Sequence, residues 1–316
     1  MKAMVYTKFG SPGVLHLQEV EKPVPEDDEV LIKVHAASAN AFEWRHLSAD
    51  PFFIRLMGAG LLKPKHPILG ADVAGRVEAV GGRVTQFKPG DEVLGEGSYG
   101  AFAEYVAVDE SRCVLKPAAL TFEEAAAMPM AGLTALQGLR DHGRIRAGQK
   151  VLINGASGGV GTFAVQIAIS FGTEVTGVCS TAKMDLVRSI GADHVLDYTQ
   201  EDVTRNGQRY DLIFDTAAHR SIAKYKRILS PGGMYVLAGG STARIFQLMF
   251  LSMTGARNMK FMVAHIDQKD LLFLAELMTA GKVKSMIDKC YPLSETADAL
   301  RYLEEGRVRG KVVITV

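Results

Sequence analysis

The stretch that most constrains this chain is Val151-Leu-Ile-Asn-Gly-Ala-Ser-Gly-Gly-Val-Gly-Thr-Phe-Ala-Val-Gln-Ile-Ala168. An apolar run of strand character breaks into small residues and passes at once into an apolar pattern of helical character. At the junction, Ala156-Ser157-Gly158-Gly159-Val160-Gly161 keeps the G-x-G-x-x-G spacing with alanine in the first slot. Glycine at 158 lets backbone approach a bulky anion closely, and glycine at 161 lets helix and strand pack tightly. The first N–H groups of the helix lack acceptors within it, so they and the helix dipole favour negative charge at the same place. Ser157 adds a hydroxyl donor. Strand, turn and helix together imply a dinucleotide pyrophosphate seat rather than a bare glycine turn.

The surrounding rhythm agrees. Apolar runs at 151–153, 174–178, 194–196, 210–214 and 234–237 alternate with helical segments, which predicts βαβ units on a Rossmann-type doubly wound parallel sheet. Residues 1–121 read differently. Val30-Leu-Ile-Lys-Val34 is a strand, Ala74-Gly-Arg-Val-Glu-Ala-Val80 alternates as a half-buried strand does, and 102–108 is another candidate. Lys88-Pro-Gly-Asp91 is a turn, with proline presetting one dihedral and glycine supplying the permissive one. Short strands with such punctuation predict a β-barrel domain. Helical stretches at 268–281 and 294–305 and a last strand at 311–315 predict a return to that first domain. The expected division is therefore 1–121, 122–265 for the dinucleotide domain, and 266–316 for the return.

Composition sets outer limits. The 316 residues allow two cores, and 36 basic residues against 35 acidic ones leave no nucleic-acid footprint. The N-terminus has no apolar core of signal-peptide length, and the apolar run at 245–253 is too short to span a bilayer. Cys113, Cys179 and Cys290 are odd in number and far apart, so neither a disulfide framework nor a thiolate zinc cluster is signalled, and a cytoplasmic setting is expected. Within 245–253, Met249, Phe250 and Met253 suit a buried helix, with a substrate lid or subunit contact as the sharper alternative.

The end of the second Rossmann strand selects the dinucleotide. An NAD site wants Asp or Glu there to hold ribose hydroxyls. This chain has Cys179-Ser-Thr-Ala-Lys183, with no acid before Asp185. Ser180 and Thr181 can donate hydrogen bonds, and Lys183 brings positive charge for a 2′-phosphate. NADPH is the expected cofactor.

Leu69-Gly-Ala-Asp-Val-Ala-Gly75, Phe87-Lys-Pro-Gly-Asp-Glu-Val93, Met128-Pro-Met-Ala-Gly-Leu-Thr-Ala135, Asn154-Gly-Ala-Ser-Gly-Gly-Val-Gly161 and Gly310-Lys-Val-Val-Ile-Thr315 follow in order along the whole length. In these motifs the chain resembles the medium-chain dehydrogenase/reductase superfamily, in particular its zinc-independent quinone oxidoreductase branch. The resemblance implies a GroES-like β-barrel domain, a Rossmann domain and an active site in the cleft between them. It implies that Lys183 and Tyr198, fifteen residues later, flank the 2′-phosphate and that Thr134 lies near the nicotinamide. Thr216, Ala217, Ala238 and Gly239 end later strands on the ligand-facing edge. Asn40 matches a family asparagine beside the nicotinamide, able to bond carboxamide or substrate, or else to cap the turn before Ala41. Asp72 is expected to organise the cleft. Relatives commonly form homodimers through their sixth Rossmann strand, for which Lys260-Phe-Met-Val-Ala264 is the candidate edge.

Zinc alcohol dehydrogenases of the superfamily place a cysteine near residue 38 and Gly-His-Glu near residue 70. This chain has Ala36-Ala-Ser-Ala-Asn40 and Gly70-Ala-Asp72 there. His35, His46 and His66 lie nearby, but surface or pocket-wall histidines are the expectation, and no metal is expected. Without a Lewis acid, a conjugated acceptor is the easier hydride target, because the incoming charge spreads onto an enolate or hydroquinone oxygen. The expected reaction is hydride transfer from NADPH to a small-molecule quinone or α,β-unsaturated carbonyl. The alternatives are a non-catalytic NADPH-binding sensor or partner protein, or a zinc-type alcohol dehydrogenase. Many relatives carry a tyrosine a few residues after the asparagine; here Trp44, Arg45 and His46 follow, leaving a tyrosine donor in doubt and water as a proton source. Trp44, Phe52 and Phe53 are candidates for an apolar substrate-pocket wall or for core. Nothing in the sequence points to a nucleic acid or a membrane as partner.

Overall fold

The computed structural model describes the chain except for residues 51–54, 56–58, 206, 219, 241–243, 245–246 and 249–257. Phe52, Phe53, Met249, Phe250 and Met253 therefore lie outside the described residues. Two compact units emerge, one of residues 1–130, 266–279 and 287–316, the other of 131–265 and 280–286.

The first unit opens with a two-stranded ribbon, β1 (Lys2–Val5) against β2 (His16–Glu19). Then come β3 (Glu29–Ala39), α1 (Ala41–Ser48), β4 (Asp72–Val80), β5 (Glu92–Glu96), β6 (Tyr105–Asp109), β7 (Cys113–Leu115) and α2 (Phe122–Ala126). The turn ahead of β5 closes as its sequence demands: Gly90 takes φ 95°, and the Lys88 N–H donates to the Asp91 carboxylate at 3.0 Å. Thr121 caps α2, accepting from the Glu124 N–H at 3.1 Å while Glu124 accepts the Thr121 N–H at 2.9 Å. Because α2 packs on β3 and β4, and the His35 and Phe122 rings stack at 4.2 Å, residues 122–130 belong with this unit and not with the second one.

The chain passes through α3 (Pro129–Gln137) into the second unit: β8 (Lys150–Asn154), α4 (Gly159–Ser170), β9 (Glu174–Cys179), α5 (Met184–Ser189), β10 (His194–Asp197), β11 (Tyr210–Asp215), α6 (Ile222–Ile228), β12 (Leu229–Ala238) and β13 (Met259–Met262). All neighbours are parallel, in the order β10-β9-β8-β11-β12-β13. Numbered along the chain this is 3-2-1-4-5-6, the doubly wound order whose reversal opens a crevice at the carboxyl ends of β8 and β11. Residues 161 to 168 of α4 are all buried, as an all-round apolar helix requires. Gln166 ties residues 280–286 to this unit by a two-way clamp, donating to Lys284 O at 3.0 Å and accepting its N–H at 2.9 Å. That local pairing is why this short segment parts from the expected C-terminal return.

The chain then re-enters the first unit through α7 (Gln268–Thr279), β14 (Ile287–Pro292), α8 (Thr296–Glu304) and β15 (Lys311–Thr315). The strand β15 pairs antiparallel with β3, Val312 opposite Ala39, so the C-terminus completes the sheet β14-β15-β3-β4-β5-β7, with β6 also on β3. Leu47, Leu69, Val73, Phe102, Leu300 and Ile314 share its core. The strands β14, β1 and β2 went unread in the sequence: β2 is exposed throughout and β14 has no buried residue, so neither shows an apolar pattern.

Candidate functional site

In the second unit, candidate ligand residues gather at the carboxyl ends of the parallel strands. Past β8, Gly155 turns with φ 84°, and the Gly155 and Ala156 N–H groups both donate to Val178 O, at 3.1 and 3.0 Å. Gly158 is the N-cap of α4 and has no side chain with which to cap it, so the first-turn N–H groups keep their capacity for an external anion. The glycines are not equivalent. A Cβ on Gly161 would lie 2.0 Å from Gly155 O, whereas one on Gly158 would meet nothing nearer than the same oxygen at 3.5 Å. Gly161 is a packing glycine; Gly158 leaves a cradle that a methyl would fill. That cradle, at a helix N-terminus beside the crevice, fits a dinucleotide pyrophosphate.

Asp215, fully buried at the end of β11, braces this edge. Its Oδ1 accepts from Asn154 Nδ2 at 2.7 Å and from the Ala217 and Ala218 N–H groups at 3.0 and 2.8 Å, and its Oδ2 accepts from Tyr235 OH at 2.8 Å. The Thr216 hydroxyl donates to Asn154 O at 2.9 Å. Thr216 and Asp215 thus lock the β8 and β11 ends together through Asn154, while Ala217 folds back onto Asp215. Ala238 ends β12, Gly239 follows with φ 94°, and Thr134 stands on α3.

Ser180 begins the short turn Thr181–Lys183 after β9, its carbonyl accepting the Lys183 N–H at 2.9 Å. Tyr198, 45% exposed, follows the neighbouring β10 and donates its N–H to Cys179 O at 3.1 Å. Lys183 and Tyr198 therefore stand on adjacent strand ends. Between them the structure adds a group that sequence order hid. The Thr181 hydroxyl donates to Asp197, whose other oxygen accepts from the Thr199 N–H at 2.9 Å and hydroxyl at 2.7 Å. These hydroxyls hold the Asp197 carboxyl below its ordinary range, so it is ionised. The Thr181 proton is thus committed to Asp197 rather than offered to a phosphate, and the carboxylate is already satisfied by threonine donors.

In the first unit, half-buried Asn40 and fully buried Asp72 belong to one network. Asn40 is the N-cap of α1, and its N–H donates to Glu43 Oε2 at 2.7 Å. Glu43 Oε1 accepts the Ala71 N–H at 3.0 Å. Asp72, fully buried, accepts from Ser38 Oγ at 2.6 Å and Asn40 Nδ2 at 3.0 Å on Oδ2, and from the Met130 N–H at 2.9 Å on Oδ1. Lys311, 2% exposed, places Nζ 3.5 Å from Asp72 Oδ2 and donates to Asn40 Oδ1. Burial and the Asp72 charge push the Glu43 carboxyl up to about 7. Glu96, cross-strand neighbour of Asp72, is raised by burial, Asp72 and Glu43. Burial lowers the Lys311 ammonium against the pull of these carboxyls. Asp72 is thus a many-handed acceptor that orients its neighbours.

Sequence reading missed Ser38, Glu43, Glu96 and Lys311. The Asn40-x-x-Glu43 spacing was a legible capping signal; Lys311 stood in the Gly310–Thr315 motif, but nothing there marked it as a partner of Asn40.

Trp44 lines a groove with Ala41, Arg45, Leu303 and Glu304. His66 stacks on Tyr99 at 4.1 Å, and His46 Nδ1 lies 2.8 Å from Phe42 O. Among the described residues, no three of the His, Cys, Asp and Glu side chains gather as metal ligands.

Residues 26–118 match the alcohol dehydrogenase GroES-like domain and residues 190–314 the zinc-binding dehydrogenase domain. The chain is 35% identical to a 2-methylene-furan-3-one reductase of Solanum lycopersicum, over 99% of this chain and 79% of the relative. It is 34% identical to an NADPH-dependent alkenal/one oxidoreductase, chloroplastic, of Arabidopsis thaliana, over the same shares. The solved quinone oxidoreductase from Coxiella burnetii superposes with a TM-score of 0.91 at 30% identity, over 100% of this chain and 99% of that one. With its 3-2-1-4-5-6 sheet, its glycine cradle and these relatives along its full length, the chain belongs to the quinone oxidoreductase branch of the medium-chain dehydrogenase/reductase superfamily.

Proposed function

We propose that this protein is an NADPH-dependent oxidoreductase that reduces quinones or α,β-unsaturated carbonyls without zinc. The observation that carries the reading is the open cradle at Gly158, at the head of a long buried helix and at the switch point of the sheet. The names of the relatives supply the acceptor class: an enone reductase, an alkenal/one oxidoreductase that uses NADPH, and a quinone oxidoreductase.

Bound NADPH supplies the hydride. The chain's own residues bind and orient. Gly158 and the first turn of α4 receive the pyrophosphate, with Ser157 as an added donor. Lys183 and Tyr198 receive the 2′-phosphate, and Ser180 stands beside them. Thr216, Ala217, Ala238, Gly239 and Thr134 border the rest of the cofactor. Asn40, held by Asp72, contacts the nicotinamide. Trp44 belongs to the substrate side. The protein works as a cytoplasmic homodimer joined along β13, which occupies an edge of its sheet.

The test follows the absorbance of reduced nicotinamide with the purified protein, NADPH and a panel of quinones, enals and enones, alongside metal analysis. Turnover with at least one conjugated acceptor and no stoichiometric zinc is expected. A flat trace across the panel with NADPH bound would favour a sensor or partner role, and stoichiometric zinc would point to an alcohol dehydrogenase.

A further inference from the structure

We propose that Asp197 is a positioning residue for cofactor selectivity: its carboxylate staples the turn that carries Lys183 to the turn that carries Tyr198, and so gives the second unit its preference for a 2′-phosphorylated nucleotide. The inference rests on the reading of Lys183 and Tyr198 as phosphate contacts and adds what holds the two together.

Lys183 and Tyr198 leave the sheet from different strands. Lys183 closes the short turn Thr181–Lys183 after β9, and Tyr198 directly follows β10. The second support is the weaker one, because β10 has only four residues and lies at an edge of the sheet, laddered to β9. Its last backbone link there is the Tyr198 N–H to Cys179 O, at 3.1 Å. Strand ends of this kind open locally at low cost. Two groups on loosely held ends do not keep the fixed spacing that a shared phosphate needs.

Asp197 supplies the tie. It is 5% exposed, whereas Thr181 and Thr199 are both exposed. Its Oδ2 accepts the Thr181 hydroxyl from the β9 turn, and its Oδ1 accepts the Thr199 N–H at 2.9 Å and hydroxyl at 2.7 Å from the β10 turn. The two threonine hydroxyl oxygens stand 3.2 Å apart, so the turns meet. Asp197 O also accepts the Gln200 and Glu201 N–H groups, at 3.1 and 3.0 Å, which closes the second turn on the same residue. Hydrogen bonds to a carboxylate are roughly twice as strong as neutral ones. Register brings the parts together, with Asp197 opposite Cys179, two residues before Thr181.

A carboxylate beside a phosphate seat also repels the phosphate. Staple and repulsion therefore pull selectivity in opposite directions, and variants can separate them. Asparagine at 197 can accept the Thr199 bonds through Oδ1 and donate to Thr181 Oγ1 through Nδ2, which keeps the tie without the charge. Alanine loses both.

The experiment measures Kd for NADPH and NADH by fluorescence titration, with thermal melts of the apo-proteins, for wild type, Asp197→Asn, Asp197→Ala, Thr181→Val, Thr181→Val/Asp197→Ala and Lys183→Glu. Asp197→Ala and Thr181→Val are each expected to lower the preference for NADPH about tenfold, with NADH changing by less than about threefold. The double variant should lose no more than Asp197→Ala, and Asp197→Asn should match or exceed the wild-type preference. If Asp197→Ala does not fold, Thr181→Val, which leaves the carboxylate both Thr199 donors, carries the same expectation. The staple is overturned if Lys183→Glu loses the preference while Asp197→Ala or Thr181→Val keeps it, or weakens both nucleotides alike. It is also overturned by additive losses in the double variant, which would mean that Thr181 meets the phosphate directly, and by an Asp197→Asn protein that behaves like Asp197→Ala. A Lys183→Glu protein weakened equally toward both nucleotides overturns the underlying phosphate reading instead.

Discussion

Adding one methyl group at Gly158 should separate binding from folding. Its dihedrals, φ −85° and ψ 175°, are ordinary for alanine, and the new Cβ would have Gly155 O at 3.5 Å as its nearest neighbour. The loss of a favourable N-cap glycine and the gain from a stiffer unfolded chain are each below about 1 kcal/mol and opposed. Gly158→Ala should therefore keep the apo-protein's stability within about 0.5 kcal/mol. The methyl occupies the space the pyrophosphate needs, and forcing one such group into a packed contact costs about 2 kcal/mol, or roughly 30-fold in Kd for NADPH. Gly161→Ala should do the reverse. Its Cβ would sit 2.0 Å from Gly155 O and 2.8 Å from Ala156 Cα, both backbone atoms unable to swing aside. A cost of about 3 kcal/mol or more is expected, a fall in Tm of roughly 6–12 °C. Calorimetric titration with NADPH and thermal melts of the apo-proteins read the two effects. Wild-type NADPH affinity in a folded Gly158→Ala protein, or equal loss of stability in both variants, would refute the division of labour between the glycines.

Lys183→Glu turns attraction at the 2′-phosphate into repulsion and should weaken NADPH by about 100-fold while changing NADH by less than about threefold, measured by fluorescence titration; equal losses would remove the phosphate role. Asp215→Ala strands the donors of Asn154, Ala217, Ala218 and Tyr235 in a buried place and should cost about 3 kcal/mol, read by urea unfolding; a loss below about 1 kcal/mol would show that they find other partners. The buried carboxyls give a pH dependence of defined sign. Glu43 is raised from 4.5 to about 7 and Glu96 is also raised, so both favour folding in acid, and that contribution fades as pH rises through their folded values. Glu96→Gln, still facing Asp72, Glu43, Arg112 and Lys311, should thus gain about 1 kcal/mol over wild type at pH 8.5 and little at pH 5. Urea melts at the two pH values check this, and a gain confined to acid would reverse the argument.

Much of the nucleotide unit was readable because its signals are local. Each strand is a short apolar run, each helix follows within a few residues, and the corner at 156–161 carries its own chemistry in sequence order. Hence β8 to β12 fall where the apolar runs lie, and the last strand joins the first unit. Asp197 shows where such reading stops. It lies sixteen residues beyond Thr181, but parallel pairing of β9 with β10 sets the two side by side, so a region without nearby acid in sequence has one in space. The boundary near residue 122 was misjudged for the same reason, since the packing of α2 on β3 and β4 has no local signature.

The sequence by itself determined the alternation of strands and helices, the place of the glycine corner and the lack of zinc-type ligands at the family positions, because glycine dihedrals, residue period and side-chain chemistry are properties of short segments. Only the tertiary structure decided what holds Asn40. Lys311 lies 271 residues away along the chain, and antiparallel pairing of β15 with β3 makes it a neighbour. Whether an asparagine gives or receives a hydrogen bond is set by the charges packed around it, and those charges come together only when distant strands share a sheet.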